Sequence, residues 1–76
     1  MFLKSDADII KLIKSVRQCK GDVHLLTEEG DNMNLKSKIC QYVAIAMVAK
    51  PELLVRAQIV CDNKEDEPVL GEFVCE

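Results

Sequence analysis

The spacing of apolar residues near the start of the chain constrains the fold more than any other feature. Ile9, Leu12, Ile13 and Val16 recur at the spacing of a helix that buries one face. Ser5 precedes this stripe and is the expected N-cap of the helix. Gly21 follows the stripe and is the residue expected just past the C-terminus of the helix. The sequence therefore predicts an amphipathic helix between Ser5 and Gly21.

Four other segments carry the two-residue period of strands. Residues 23–27, 33–35 and 55–61 alternate between side chains that face a core and side chains that do not, and residues 2–4 form a short segment of similar character. The polar segment 28–31 separates residues 23–27 from residues 33–35, which is typical of a hairpin. We therefore expect four strands.

Two further helices are predicted in the second half of the chain. Ser37 is the expected N-cap of a helix from Lys38 to about Ala49, which Pro51 ends because a residue before proline is pushed away from helical dihedral angles. Its apolar face is expected to consist of Ile39, Tyr42, Val43, Ala46 and Met47. Pro68 opens a short last helix, and its expected inward residues are Val69, Leu70, Phe73 and Val74.

The order of these elements predicts the fold class. It is βαββαβα, and strands with one apolar face need a layer of helices to cover it. We predict an α+β fold, an open-faced two-layer sandwich with a four-stranded antiparallel sheet and three helices on one face. Seventy-six residues are enough for one domain, 1–76.

Composition excludes several classes of function. Lys and Arg are scattered, and the net charge is −3, which disfavours binding to nucleic acid. The longest apolar run, residues 42–49, is far shorter than the roughly 20 residues of a membrane span. The opening segment 1–4 is too short for the apolar part of a signal peptide. We expect a cytoplasmic protein with no membrane insertion, whose oligomeric state the sequence leaves open.

The residues that could carry redox or metal chemistry do not form a known motif. The four cysteines are widely spaced, without a CxxC pair, and are expected to be reduced thiols. His24, the single histidine, is expected on the open face of the sheet as a solvated residue without a function. The acidic turn 28–31 lacks the ligand spacing of a calcium loop. We therefore predict no metal, no cofactor and no enzymatic activity.

Two segments resemble proteins of the HPr family, the phosphocarriers of the bacterial phosphoenolpyruvate-dependent sugar phosphotransferase system. Residues 22–25 (DVHL) followed by 34–37 (NLKS) are similar to the HPr hairpin, which runs D-V/I-N-L, a turn and V-N-L-K-S. Residues 10–22 resemble the first HPr helix, and residues 55–62 resemble the last strand. The resemblance implies the HPr fold over most of the chain.

The resemblance also implies that the chemistry of the family is lost. In HPr proteins a histidine before the first helix carries the phosphoryl group, and an arginine helps to stabilise its charge. Aligned on the helix, Ser5 and Ala7 occupy the positions of that histidine and arginine, and Asp8 replaces a proline. Serine forms no labile phosphoramidate, and Asp6 and Asp8 would repel a phosphate there. A phosphocarrier with a rearranged acceptor site is the alternative.

Ser37 corresponds to the serine that a dedicated kinase phosphorylates in some HPr proteins. The resemblance therefore implies a non-catalytic regulatory or protein-binding module that is switched at Ser37, with Ile39 and Tyr42 as candidate contacts for a partner. The partner would be a component of the sugar phosphotransferase system or an HPr kinase. Two alternatives stay open: Ser37 is only an N-cap, or the chain is a plain interaction domain with another partner.

Overall fold

One antiparallel sheet of five strands organises the fold. The computed structural model describes residues 1–75. The strands are β1 (Phe2–Leu3), β2 (Val23–Leu26), β3 (Asn32–Asn34), β4 (Gln58–Cys61) and β5 (Val74–Cys75). They lie in the order β3-β2-β4-β1-β5, and every pair of neighbours is antiparallel. The predicted α+β class is confirmed at this level.

Within the described residues, three α-helices accompany the sheet, and three short 3-10 helices form parts of the connections. The α-helices are α1 (Ile9–Val16), α2 (Lys38–Met47) and α3 (Glu67–Leu70). The 3-10 helices span Pro51–Leu54, Lys64–Asp66 and Gly71–Phe73. No helix within residues 1–75 has the length and apolar character that crossing a membrane requires.

The core lies between one face of the sheet and the helices. Because successive strand residues point to opposite faces, Val23, Leu25 and Ile59 are buried with Leu12 and Val16 of α1 in one cluster. The intervening strand residues point to the other face and are half-buried or exposed; they are His24, Leu26, Gln58 and Val60. The fold therefore has one packed face and one open face of the sheet.

The stripe predicted for α1 is confirmed, but its N-cap is Asp8 and not Ser5, and the helix ends at Val16 and not next to Gly21. Ile9, Leu12, Ile13 and Val16 are the buried residues of the helix. The Asp8 carboxylate accepts a hydrogen bond from the Lys11 backbone N–H at 3.1 Å, which satisfies one of the unpaired donors of the first turn. Ser5 lies three residues earlier, in a turn.

Helix α2 buries a different face from the predicted one. Its buried residues are Gln41, Ala44 and Met47, and of these only Met47 was expected inside. The Gln41 amide donates to the Leu35 carbonyl at 2.9 Å and accepts from the Arg17 guanidinium at 3.2 Å. These two hydrogen bonds satisfy a polar side chain that the apolar pattern had placed outside. The helix also ends at Met47, two residues before the predicted end.

The prediction of four strands was wrong, because the last predicted helix is shorter and a fifth strand follows it. Helix α3 ends at Leu70 after one turn, and the chain continues through the 3-10 helix Gly71–Phe73 into β5. Leu3 of β1 pairs with Val74, so β5 extends the sheet beyond β1. Leu70, Phe73 and Val74 are buried as expected, whereas Val69 is exposed.

Strand β4 is shorter than predicted at its beginning. The alternating pattern started at Val55, but the strand begins at Gln58. Arg56 has φ of 60°, in the left-handed region, and this conformation cannot continue a strand. The prediction followed the apolar alternation, which does not report backbone conformation.

Candidate functional site

Helix α2 presents a row of apolar side chains to solvent. Because Gln41, Ala44 and Met47 occupy the inner face, Ile39 and Tyr42 lie on the outer side, where they are 76% and 72% exposed. Three more apolar residues of the same segment are exposed: Val43, Ile45 and Val48. Residues three or four apart are neighbours on a helix, so these side chains form one patch. A contiguous exposed apolar patch typically marks an interaction surface.

A groove continues this patch towards α1. We call it the α1–α2 groove; its volume is about 280 Å³. Ile10 and Ile13 of α1 line one side, and Tyr42 and Ile45 of α2 line the other. Ile10 is itself half-exposed, although the stripe of α1 next to it is buried.

The rim of the α1–α2 groove is basic. Lys14, Arg17 and Lys38 are among the residues that line it, and none of the lining residues is acidic. Arg17 is held in place by its hydrogen bond to Gln41, which is buried below it. The net charge of the whole chain is −3, so this local positive charge opposes the overall balance. The groove therefore offers apolar contact and positive charge together.

Part of this surface was predictable from the sequence. Both predicted partner contacts, Ile39 and Tyr42, are on the exposed side of α2, and Tyr42 lines the groove. Ile10 and Ile45 were not predicted as part of it. The position of Ile10 could be predicted from the sequence, because at helical spacing it lies outside the arc that Ile9, Leu12, Ile13 and Val16 span.

The segment before α1 contains Ser5 and Ala7, which the HPr resemblance aligns with the histidine and arginine of the phosphoryl site. Ser5 is exposed in a turn, and Ala7 is half-buried against the core. The first turn of α1 already has a negative group, because the Asp8 carboxylate accepts from the Lys11 N–H. An anion bound at this helix end would therefore meet the charge of Asp8 and of the exposed Asp6.

Ser37 stands at the N-cap of α2, as predicted. Its backbone is extended (φ −75°, ψ 130°), and its carbonyl accepts the first helical hydrogen bond from the Gln41 N–H at 2.9 Å. Its hydroxyl makes no capping hydrogen bond. The position is that of an N-cap, while the side chain contributes no cap.

Two of the four thiols have an environment that suppresses reactivity. All four cysteines are free, and Cys19 is buried. Burial raises the pKa of the Cys19 thiol, and the nearby Asp66 carboxylate raises it further. Burial likewise raises the pKa of Cys61. A thiol with a raised pKa forms little of the nucleophilic thiolate at neutral pH.

Asp66 is a buried acid with a structural role. Its carboxylate accepts backbone N–H groups from Gly21 at 2.8 Å and Lys20 at 2.9 Å. The hydrogen bond from Gly21 has the largest effect on the pKa of Asp66, and the hydrogen bond from Lys20 has the next largest. Both lower this pKa, whereas burial of the carboxylate acts to raise it. The side chain fixes the segment after α1 to the region before α3.

The open face of the sheet brings together His24 and two acids that are distant in sequence. The ring Nε2 of His24 lies 3.3 Å from Oδ1 of Asp62, and its Nδ1 lies 3.2 Å from Oδ1 of Asn32. A ligand atom of Asp22 completes a group in which the three candidate ligand atoms are within 4.8 Å of one another. His24 is on the open face, as predicted, but it is not isolated there. Sequence spacing alone gave no indication of this cluster.

Comparisons with known proteins give no relative for the chain. No protein-family model matches it, no curated protein matches it, and no solved structure matches it. The resemblance to HPr proteins therefore depends on the segments quoted above.

Proposed function

We propose that this chain is a non-catalytic protein-binding domain that docks an acidic, apolar segment of a partner protein in the α1–α2 groove. The observation that carries the proposal is the combination of an apolar lining, including Ile10 and Tyr42, with a basic rim in an acidic chain. Tyrosine and arginine are the residue types that dominate binding energy at interfaces. Tyr42 and Arg17 supply both types at this groove.

The charge of the rim favours an acidic partner over a second copy of the chain. In a two-fold dimer the same surface lies on both sides of the interface. The cations Lys14, Arg17 and Lys38 would then be present on both sides of the interface and repel one another. A partner segment with Asp or Glu around apolar anchors would instead be attracted to the groove and oriented by it.

The HPr resemblance is part of this proposal. The order of elements up to β4 agrees with the family, and the family places apolar residues after the serine that corresponds to Ser37. The fifth strand and Lys38 depart from the family pattern. On this basis the partner would be a component of the sugar phosphotransferase system or an HPr kinase.

Phosphorylation at Ser37 would regulate the docking. The Ser37 hydroxyl is not engaged in a cap, and the next residue, Lys38, belongs to the basic rim. A phosphoserine adds a charge of about −1.5 to −2 and is favoured at a helix N-terminus. It would offset the charge of the rim, so we expect modification of Ser37 to weaken binding of an acidic segment.

Selection from a library of 16-residue peptides displayed on phage tests the docking proposal. We expect enriched peptides to combine Asp or Glu with large apolar residues, and to shift the backbone amide resonances of Ile10, Tyr42 and Ile45. Tyr42→Ala should weaken a selected peptide at least tenfold, whereas Val60→Ala, a change on the open face of the sheet, should not.

Charge-reversal variants test whether the basic rim contributes to binding of the selected peptide. Lys14→Glu should weaken the selected peptide, whereas Lys64→Glu, an equal change of charge at an exposed site away from the groove, should have little effect. Peptides without acidic residues, resonance shifts confined to the open face, or dimerisation through α2 in sedimentation experiments would each contradict the proposal.

A kinase assay tests the regulatory part separately. HPr kinase with labelled ATP is expected to modify the protein, and Ser37→Ala should abolish the label. Lack of labelling would remove the proposed switch while leaving the docking proposal intact.

A further inference from the structure

We propose that Asp22, His24 and Asp62 form a binding site for a divalent transition-metal ion of the Zn²⁺ type on the open face of the sheet. This site is independent of the proposed docking function, because the α1–α2 groove lies between helices and the three ligands extend from the sheet.

The pairing of β2 with β4 brings the three side chains together. Val23 lies opposite Cys61 in this pairing, so Asp22 and Asp62 are at the two adjoining strand ends. The Asp62 backbone N–H donates to the Asp22 carbonyl at 3.0 Å, which extends the pairing by one residue. Asp22 and His24 are two residues apart and therefore share a face of the sheet. The ligands are thus held by the backbone of two paired strands.

The spacing between His24 and Asp62 suits a shared ion better than a direct hydrogen bond. The His24 Nε2 lies 3.3 Å from Oδ1 and 3.4 Å from Oδ2 of Asp62. A charge-assisted hydrogen bond between such groups is usually about 2.7–2.9 Å long. Two ligands of a tetrahedral zinc ion, each at about 2.0–2.1 Å from the metal, lie about 3.3 Å from each other.

The position of Asn32 suits the form of the imidazole that a metal requires. The Asn32 Oδ1 lies 3.2 Å from Nδ1, so the neutral tautomer with its proton on Nδ1 can donate that proton to this oxygen. In the neutral ring, Nε2 then has a lone pair directed towards the Asp62 carboxylate, which also offers only lone pairs. Hydrogen bonding of the second ring nitrogen is the usual arrangement behind a metal-bound histidine.

The presence of Asp22 favours a metal ion over a proton between His24 Nε2 and the Asp62 carboxylate. A proton on Nε2 needs a single acceptor, which Asp62 provides. The second carboxylate gives the site three ligands, with one position left for water, and this is the arrangement of accessible zinc sites. Two carboxylates also balance the charge of a divalent ion when the imidazole is neutral.

The ligand set selects among metals. One imidazole nitrogen with two carboxylates suits Zn²⁺ and its neighbours in the first transition row, whereas Ca²⁺ requires six to eight oxygen ligands. The Asp62 side chain is 54% exposed and that of His24 is 25% exposed, so the ion would exchange with solvent. We expect reversible binding of Zn²⁺ and Co²⁺, and no saturable binding of Ca²⁺ or Mg²⁺.

Titration of the full chain with zinc chloride, with calcium and magnesium chloride as comparators, tests the proposal. Isothermal titration calorimetry should give one Zn²⁺ ion per chain, and NMR should show the largest shifts at Asp22, His24 and Asp62. Asp22→Asn, His24→Gln and Asp62→Asn should each weaken binding at least about tenfold, since loss of even an outer hydrogen-bond partner costs 10–100-fold.

Matched controls separate this site from the thiols and from exposed acids. Asp6→Asn should leave the affinity unchanged, and so should Cys61→Ser and Cys75→Ser. Circular dichroism of each variant reports whether it folds, and titration of the unmodified chain does not depend on any variant. Absence of saturable Zn²⁺ binding to the unmodified chain below 1 mM (roughly −4 kcal/mol), loss of binding in a Cys→Ser variant, or full binding by Asp22→Asn would overturn the proposal.

Discussion

Replacing Ile39 and Met47 with alanine, one at a time, tests which face of α2 contacts the core. The two residues belong to the same helix, and the apolar pattern of the sequence placed both inside. In the structure Ile39 is 76% exposed and Met47 is 8% exposed. The two substitutions should therefore have very different effects on the free energy of unfolding.

The expected magnitudes follow from these exposures. Full burial of an isoleucine stabilises by about 1.5–3 kcal/mol, so the buried quarter of Ile39 contributes about 0.4–0.7 kcal/mol. Alanine regains several tenths of a kcal/mol through its better helix propensity, which leaves Ile39→Ala within about 0.5 kcal/mol of the parent. Met47→Ala removes a core side chain and should cost about 2–3 kcal/mol, the lower part of the range for such truncations.

Urea unfolding followed by far-UV circular dichroism measures both changes. With a slope of about 1 kcal/mol per molar urea, Met47→Ala should lower the midpoint by about 2–3 M, and Ile39→Ala should change it by less than about 0.5 M. Equal losses of about 2 kcal/mol for the two variants would show that α2 is rotated as the sequence pattern suggested. That result would bury the residues on which the α1–α2 groove depends.

Three further predictions concern single positions. Asp8→Ala should destabilise the fold by about 1 kcal/mol in the same urea assay, because it removes a cap hydrogen bond, whereas Ser37→Ala should cost less than about half of that, because the Ser37 hydroxyl makes none. Arg56→Gly should raise the free energy of unfolding by about 1 kcal/mol, because glycine adopts φ of 60° without strain; a loss of stability would contradict this assignment. Asp66 has a pKa below its usual value of 3.8, so the stability that its carboxylate contributes is present above that pH and is lost as pH falls through the folded pKa. Asp66→Asn should therefore be less stable than the parent at pH 7 and show a flatter loss of stability below pH 4, and an unchanged acid profile would refute the role of Asp66.

The buried stripe of α1 was predictable because its apolar and polar residues separate cleanly, whereas both ends of the helix were misplaced. Ile9, Leu12, Ile13 and Val16 form one stripe, and the predicted burial of all four is confirmed. The register of β2 and the hairpin with β3 were predictable for the same reason, since Val23 and Leu25 alternate with half-buried neighbours.

The orientation of α2 could not be predicted from the same kind of pattern. Residues 42–49 are apolar on every side of the helix, so periodicity selects no face. What selects the face is the burial of Gln41, which depends on hydrogen bonds to Arg17 and Leu35. Those partners lie on α1 and at the end of the hairpin, and a local pattern does not contain them.

The candidate sites were predictable to different degrees. Tyr42 was predicted as a partner contact because it follows the segment that resembles HPr proteins, and it is exposed although the apolar pattern placed it on a buried face. The cluster around His24 was not found, because Asp22 and Asp62 are forty residues apart in sequence and only the pairing of β2 with β4 brings them together.

The pairing of β5 with β1 has a consequence for the order of folding. Phe2 lies opposite Cys75, so this contact spans almost the whole described chain, whereas the β2–β3 hairpin closes over a short turn. Closing a longer loop costs more chain entropy, and non-local pairings slow folding. The hairpin can form from its own residues, but the far edge of the sheet requires both ends of the chain to meet. We therefore expect the β1–β5 edge to be the last part of the sheet to assemble and the first to open.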